Sequence, residues 1–154
     1  QELKGKTLGI IGYGRCGRLL EKLAWDIGIS TMTHDSNEMI YDQDSLTPLL
    51  QKSDIVSLNI SSTEENRGFF DREKFDLMKD GSYFLNSARP WLVDNKALKE
   101  NLESGKLAGA WVDFDLGFTA PNLIQTNHIG GKTLESSTKT EKIIIDKLLQ
   151  WLKL

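Results

Sequence analysis

Short apolar, β-branched runs alternate along the chain with stretches whose apolar residues recur at helical spacing, the pattern of βα units around a parallel sheet. Thr7 to Ile11 is the first predicted strand. Arg15 to Ile27 follows as a helix, with Leu19, Leu20, Leu23, Ala24 and Ile27 on one face and Arg18, Glu21, Lys22 and Asp26 largely outside it; Gly28 stops it. Thr31 to His34 reads as a second strand, Asp44 to Gln51 as a short helix and Ile55 to Asn59 as a third strand. Phe70 to Met78 is predicted helical, Ser82 to Asn86 a strand, Asn95 to Ser104 a helix ended by Gly105, Ala108 to Asp113 a strand and Leu123 to Thr126 a last short strand. From Leu134 to Leu152 the positions Ile143, Ile144, the Lys147 stem, Leu148, Trp151 and Leu152 describe a long closing helix. Six or seven strands alternating with helices predict an α/β doubly wound parallel sheet of the Rossmann type.

No repeat interrupts the pattern, and Pro48, Pro90 and Pro121 are too scattered to mark a linker, so residues 1–154 are expected to form one domain. Nineteen basic against 22 acidic residues leave a net charge of −3, with no cationic excess to track nucleic acid or an anionic bilayer. The longest apolar runs fall far short of the ~20 residues a spanning helix needs. One cysteine, Cys16, excludes an internal disulfide and a cysteine-rich zinc site and fits a reducing compartment, so no metal and a cytoplasmic location are expected. The chain opens on Gln1 with no initiator methionine or basic-then-apolar leader, which suggests a fragment and not a signal-bearing precursor.

The sharpest chemistry lies at the first strand-to-helix turn, Gly12-Tyr13-Gly14-Arg15-Cys16-Gly17. Gly12 permits the tight turn, Gly14 lets the backbone approach a pyrophosphate, and Gly17 lets the helix pack close to the sheet. The amides opening that helix, at Arg15, Cys16 and Gly17, form an anion site that needs no lysine. Asp35 ends the second strand about 20 residues on, where an acid accepts hydrogen bonds from an adenosine ribose and repels a 2′-phosphate, so NAD is expected over its phosphorylated counterpart. His34 reads as an ordinary strand-end residue. Cys16, although at a helix N-terminus, reads as a small packing residue, since no histidine or second cysteine is near it in sequence.

With Glu2 to Gly12 leading into that loop, the chain resembles the D-2-hydroxyacid dehydrogenase family, close to its phosphoglycerate dehydrogenase branch, nearly end to end. Ser53 to Leu58 looks like the family's third strand, and Asn86-Ser87-Ala88-Arg89 with Val93-Asp94 like its substrate-arginine motif. Ser104 to Ala110 with Asp113, and then His128-Ile129-Gly130-Gly131, complete the series in order. The resemblance implies an oxidoreductase that moves a hydride between NAD and a small 2-hydroxy or 2-keto acid. His128 would be the proton-transfer group, because imidazole exchanges its proton near neutrality. Arg89 would grip the substrate carboxylate with its planar fork and polarise the keto oxygen. Asn59 and Thr63 would belong to the cofactor loop, Asp113 would hold the nicotinamide carboxamide, and Ala88 and Gly130 would lie against the ring. A homodimer is expected by the same resemblance, with Trp91 to Leu107 the first segment to inspect.

Departures from the family pattern carry expectations of their own. The family places a glutamate a few residues beyond the position of Asp113 to hydrogen-bond the histidine, whereas Phe114 to Pro121 contains only Asp115, too early in the loop. The loss predicts a less well oriented His128 and weakened or altered chemistry. Asn59 and Ser61 stand where the family shows His and Pro, and Pro90 where it shows Gly; Pro90 biases Arg89 toward an extended backbone. The family also builds its substrate cleft against a second lobe that this chain lacks, so NAD binding without appreciable turnover is expected. A non-catalytic NAD-sensing or interaction module is the alternative reading, and a domain that has lost the cofactor is the third.

Overall fold

The computed structural model describes residues 2–36 and 46–130, together with residues 133, 135, 136, 138, 139, 142, 145 and 147. The helix expected from Leu134 to Leu152 lies largely outside the described residues, as do Asp44, at the expected start of the second helix, and Gly131.

Six strands form one sheet in the order β2-β1-β3-β4-β5-β6, all pairs parallel. They are β1 (Thr7–Ile11), β2 (Ser30–His34), β3 (Ile55–Leu58), β4 (Ser82–Asn86), β5 (Leu107–Val112) and β6 (Leu123–Gln125). Helices α1 (Arg15–Asp26), α2 (Leu46–Lys52), α3 (Arg72–Leu77) and α4 (Asn95–Glu103) supply the crossovers. The doubly wound expectation holds. The side-chain alternation of β1 shows why: Leu8 and Ile10 pack with Ala24 and Leu20 of α1, while Ile11 packs with Leu49 and Leu50 of α2.

The larger core lies on the side of α2, α3 and α4. Phe70, Phe75 and Phe84 are fully buried there, with ring centroids 4.7 to 5.1 Å apart in edge and tilted contacts. Truncating one such ring to alanine typically costs about 3–5 kcal/mol. Caps fix where the helices begin. Asp71 accepts from Lys74 N at 3.1 Å and Asp94 from Lys96 N and Ala97 N at 3.0 Å. The third helix therefore starts after Asp71, not at Phe70, whose backbone is bridged to Val93.

The face read for α1 is corrected. Leu19, Leu23 and Ile27 are 59, 53 and 56% exposed, and the helix docks through Gly17, Leu20 and Ala24. Small residues at 17 and 24 let the helix axis come close to the sheet, and that close approach turns the bulkier leucines outward.

Candidate functional site

The switch point of the sheet, where the chain runs from β1 outward to β2 and later returns to β3 on the other side, opens a crevice at the strands' carboxyl ends. Its volume is about 170 Å³. Ile11 and His34 line it beside Gly12 and Gly14, Asn59 to Ser61 face them, and Asp35 and Ser36 stand at the tip of β2. Backbone bonds join the three strand tips: Gly12 N donates to His34 O at 2.8 Å, and Asn59 N to Ile11 O at 2.7 Å.

The three glycines divide cleanly by what surrounds them. Gly12 has φ +93°, and a Cβ there would stand 2.6 Å from the Asn59 carbonyl carbon. A Cβ on Gly17 would meet Gly12 O at 2.2 Å. Both glycines are demanded by packing. Gly14 is not: its φ of −74° suits any residue, and a Cβ there would meet nothing within 4 Å. The missing side chain keeps open the space in front of the α1 N-terminus, whose first-turn amides receive no side-chain cap from Gly14. Uncapped amides facing open space are the chemistry that a pyrophosphate requires. Arg15 and Cys16 open α1, and Cys16 is exposed, not the packing residue expected.

Asp35 Oδ2 accepts from Tyr13 N at 2.6 Å, which fixes its carboxylate against the glycine loop. Beside it, His34 is buried, and burial holds its imidazole below the ordinary value against the opposing charge of Asp35. Asn59 turns inward, its Nδ2 donating to Ser57 O and Ser57 Oγ at 3.1 Å. Thr63 is exposed and donates its hydroxyl to Glu65. Sequence reading missed Asn66 and Phe69, which line the crevice from the following loop. Their only signal was position after the third strand.

A second cluster forms at the tips of β4, β5 and β6. Asn86 Oδ1 accepts from Ala88 N at 2.9 Å, and its Nδ2 donates to Arg89 O at 3.1 Å, so one buried amide shapes the turn that carries Arg89. Arg89 is extended, with φ −149° and ψ 150°, as Pro90 predicts, and its Nη1 donates to Ala88 O at 2.7 Å. Pro90–Leu92 then makes a 3₁₀ turn. Among the described residues Arg89 and His128 make no hydrogen bond to each other.

Asp113 lies one residue beyond β5 and is 2% exposed. Thr126 Oγ1, Ile129 N and Gly130 N donate to its carboxylate at 2.7, 2.8 and 3.0 Å, and His128 Nδ1 lies 3.8 Å away. Burial pushes this carboxyl up, but the three hydrogen bonds and His128 outweigh it and hold it below its ordinary value. Asp115 instead accepts from Gly117 N at 2.8 Å within its own turn. Thr126 and its role were not foreseen; nothing in a lone threonine marks it.

A parallel sheet with a glycine turn at the switch point, an open helix N-terminus and an acid at the next strand tip defines a Rossmann-type dinucleotide-binding domain. Residues 1–130 match the D-isomer specific 2-hydroxyacid dehydrogenase, NAD binding domain, family. The chain belongs to that family and is its NAD-binding domain. It is 35% identical to D-3-phosphoglycerate dehydrogenase of Dictyostelium discoideum, over 98% of this chain and 42% of that protein. Its fold superposes on D-2-hydroxyisocaproate dehydrogenase with a TM-score of 0.88 at 28% identity, covering 99% of this chain and 54% of that one. The NAD complex of the NAD-dependent formate dehydrogenase of Staphylococcus aureus gives 0.85 at 28% identity, over 99% and 50%. The chain spans about half the length of the relatives it matches. Among the described residues no helix is long and apolar enough to cross a membrane.

Proposed function

We propose that this domain serves an NAD-dependent oxidoreductase interconverting a small 2-hydroxy acid and its 2-keto acid. One observation carries the reading: every residue singled out for the chemistry sits at the carboxyl edge of the sheet. Asp35 follows β2, Gly12 to Gly17 follow β1, Asn59 and Thr63 follow β3, Ala88 and Arg89 follow β4, Asp113 follows β5, and His128 and Gly130 follow β6. Bound here, NAD would supply the hydride-accepting chemistry. Asp35 would hold the adenosine ribose, and the amides of Arg15, Cys16 and Gly17 the pyrophosphate. Thr63, Ala88, Asp113 and Gly130 would contact the rest of the cofactor. Arg89 leaves Ala88 O to pair with the substrate carboxylate, while His128 takes the hydroxyl proton and returns it in the reverse direction.

The chain alone binds NAD without appreciable turnover, and the working compartment is the cytoplasm. Self-association uses the stretch from Trp91 to Leu107; Trp91 is 40% exposed there, while Ala97, Leu98 and Leu102 are committed to the core.

Calorimetric titration of the chain tests the cofactor half. NADH binds with Kd below about 1 mM, NADPH roughly tenfold more weakly, and Asp35→Asn narrows that gap. The full-length protein, assayed with NADH against a panel of 2-keto acids, tests the rest, with His128→Ala lowering kcat by about 10²–10⁴. Undiminished kcat in that variant removes His128 from the mechanism. NADH binding without turnover of any 2-keto acid by the full-length protein would favour the sensing module.

A further inference from the structure

The geometry points to Asp113 as the positioning residue for His128, a role that rests on reading His128 as the proton-transfer group. His128 is a non-glycine residue at φ +54°, a left-handed conformation that is uncommon outside glycine and is held here by its surroundings. What imposes it is one carboxylate. Asp113 Oδ1 accepts from Thr126 Oγ1 and from Ile129 N, and Oδ2 accepts from Gly130 N, so a single buried side chain ties down the residues flanking His128 on both sides.

A carboxylate has about four acceptor positions. Three are filled by this loop, and the fourth is on Oδ2, the oxygen that lies 3.8 Å from His128 Nδ1. A shift of roughly 1 Å, of the kind active sites make on closing, converts this contact into a hydrogen bond that fixes the tautomer and leaves the other ring nitrogen for substrate. Gly130 suits the clamp: a Cβ there would stand 3.1 Å from Oδ2, so the carboxylate would have to give by a few tenths of an ångström. The competing acid is held elsewhere: Asp115 is engaged with Gly117 N, and the loop behind it is pinned by Gln125, which accepts from Leu116 N at 2.7 Å and donates to Phe118 O at 2.8 Å. Among the described residues Asp113 is the carboxylate that pairs with His128.

The test is a double-mutant cycle in the full-length protein, assayed with glyoxylate at saturating NADH. His128→Ala alone establishes whether the histidine acts at all; unchanged kcat there defeats the reading of His128 and this inference with it. Given that loss, Asp113→Asn lowers kcat measured at saturating NADH at least tenfold in the wild-type background and less than twofold in the His128→Ala background, whatever its separate effect on the Kd for NADH. Equal losses in the two backgrounds, or a loss confined to NADH affinity, overturn the positioning role while leaving His128 in place. If Asp113→Asn does not fold, Thr126→Val is put through the same cycle, with a threefold to tenfold loss of kcat that vanishes in the His128→Ala background; equal losses count against the role in the same way.

Discussion

At Gly12, Gly14 and Gly17 the same residue type answers three different demands, and substitution separates them. Alanine at 12 must adopt φ +93° and press on the Asn59 backbone, and alanine at 17 must push into Gly12 O. Each change is expected to cost on the order of 2–4 kcal/mol in urea denaturation. Gly14→Ala meets open space in an ordinary conformation, so stability changes by less than about 0.5 kcal/mol while the Kd for NADH rises roughly tenfold. A Gly14→Ala chain that binds NADH as tightly as wild type would remove the pyrophosphate from this turn. The identity of these residues was legible in the sequence because a glycine pattern between a strand and a helix has few physical uses. The division of labour among them was not, since it depends on how near Asn59 and Gly12 O come in three dimensions.

Between elements, the junction that matters is the one where the tip of β5 grips the loop after β6. Strand and helix order was readable from periodicity, and β4 was placed to the residue, because a buried parallel strand and a capped helix leave strong local signatures. The exposed side of α1 was misread in part, since apolar spacing cannot reveal that Gly17, Leu20 and Ala24 set the approach to the sheet while Leu19, Leu23 and Ile27 face outward. The β5 to β6 junction was half legible: Asp113 and His128 stood out as residue types, but their pairing required the fold to bring Thr126, Ile129 and Gly130 onto one carboxylate. That pairing has a signature in pH. Asp113 is held below its ordinary value of 3.8, so the stability it confers is fully present above that value and is lost as pH falls through its lower, folded-state value. Asp113→Asn never titrates. The stability gap between wild type and Asp113→Asn, followed by urea denaturation, therefore shrinks as pH approaches 4 and closes in stronger acid. A gap that stays flat into acid would mean the carboxylate is not held as described.

On the scale of the whole molecule, the two ends of the sheet divide fold from function. The carboxyl edge carries turns open to a ligand, such as the bare face of Gly14 and the loop that Asp113 holds around His128. The amino edge carries bonds that only hold strands together, such as Thr7 N donating to Asp54 Oδ2 at 2.9 Å and Lys79 pairing with Asp54 at 2.6 Å. A ligand that binds only the folded state adds RT ln(1 + [L]/Kd), about 2.7 kcal/mol at a hundredfold excess over Kd, and that gain is distributed where the ligand makes contact. Amide hydrogen exchange with and without NADH should therefore show new protection at residues 12–17, 35–36 and 59–63. Residues 3–6 and 79–82, at the opposite edge, should exchange unchanged wherever they open by local fluctuation and slow only where they open by global unfolding. Protection that appeared at the amino edge alone would place the dinucleotide on the wrong end of the sheet and dissolve the connection between the switch point and the chemistry.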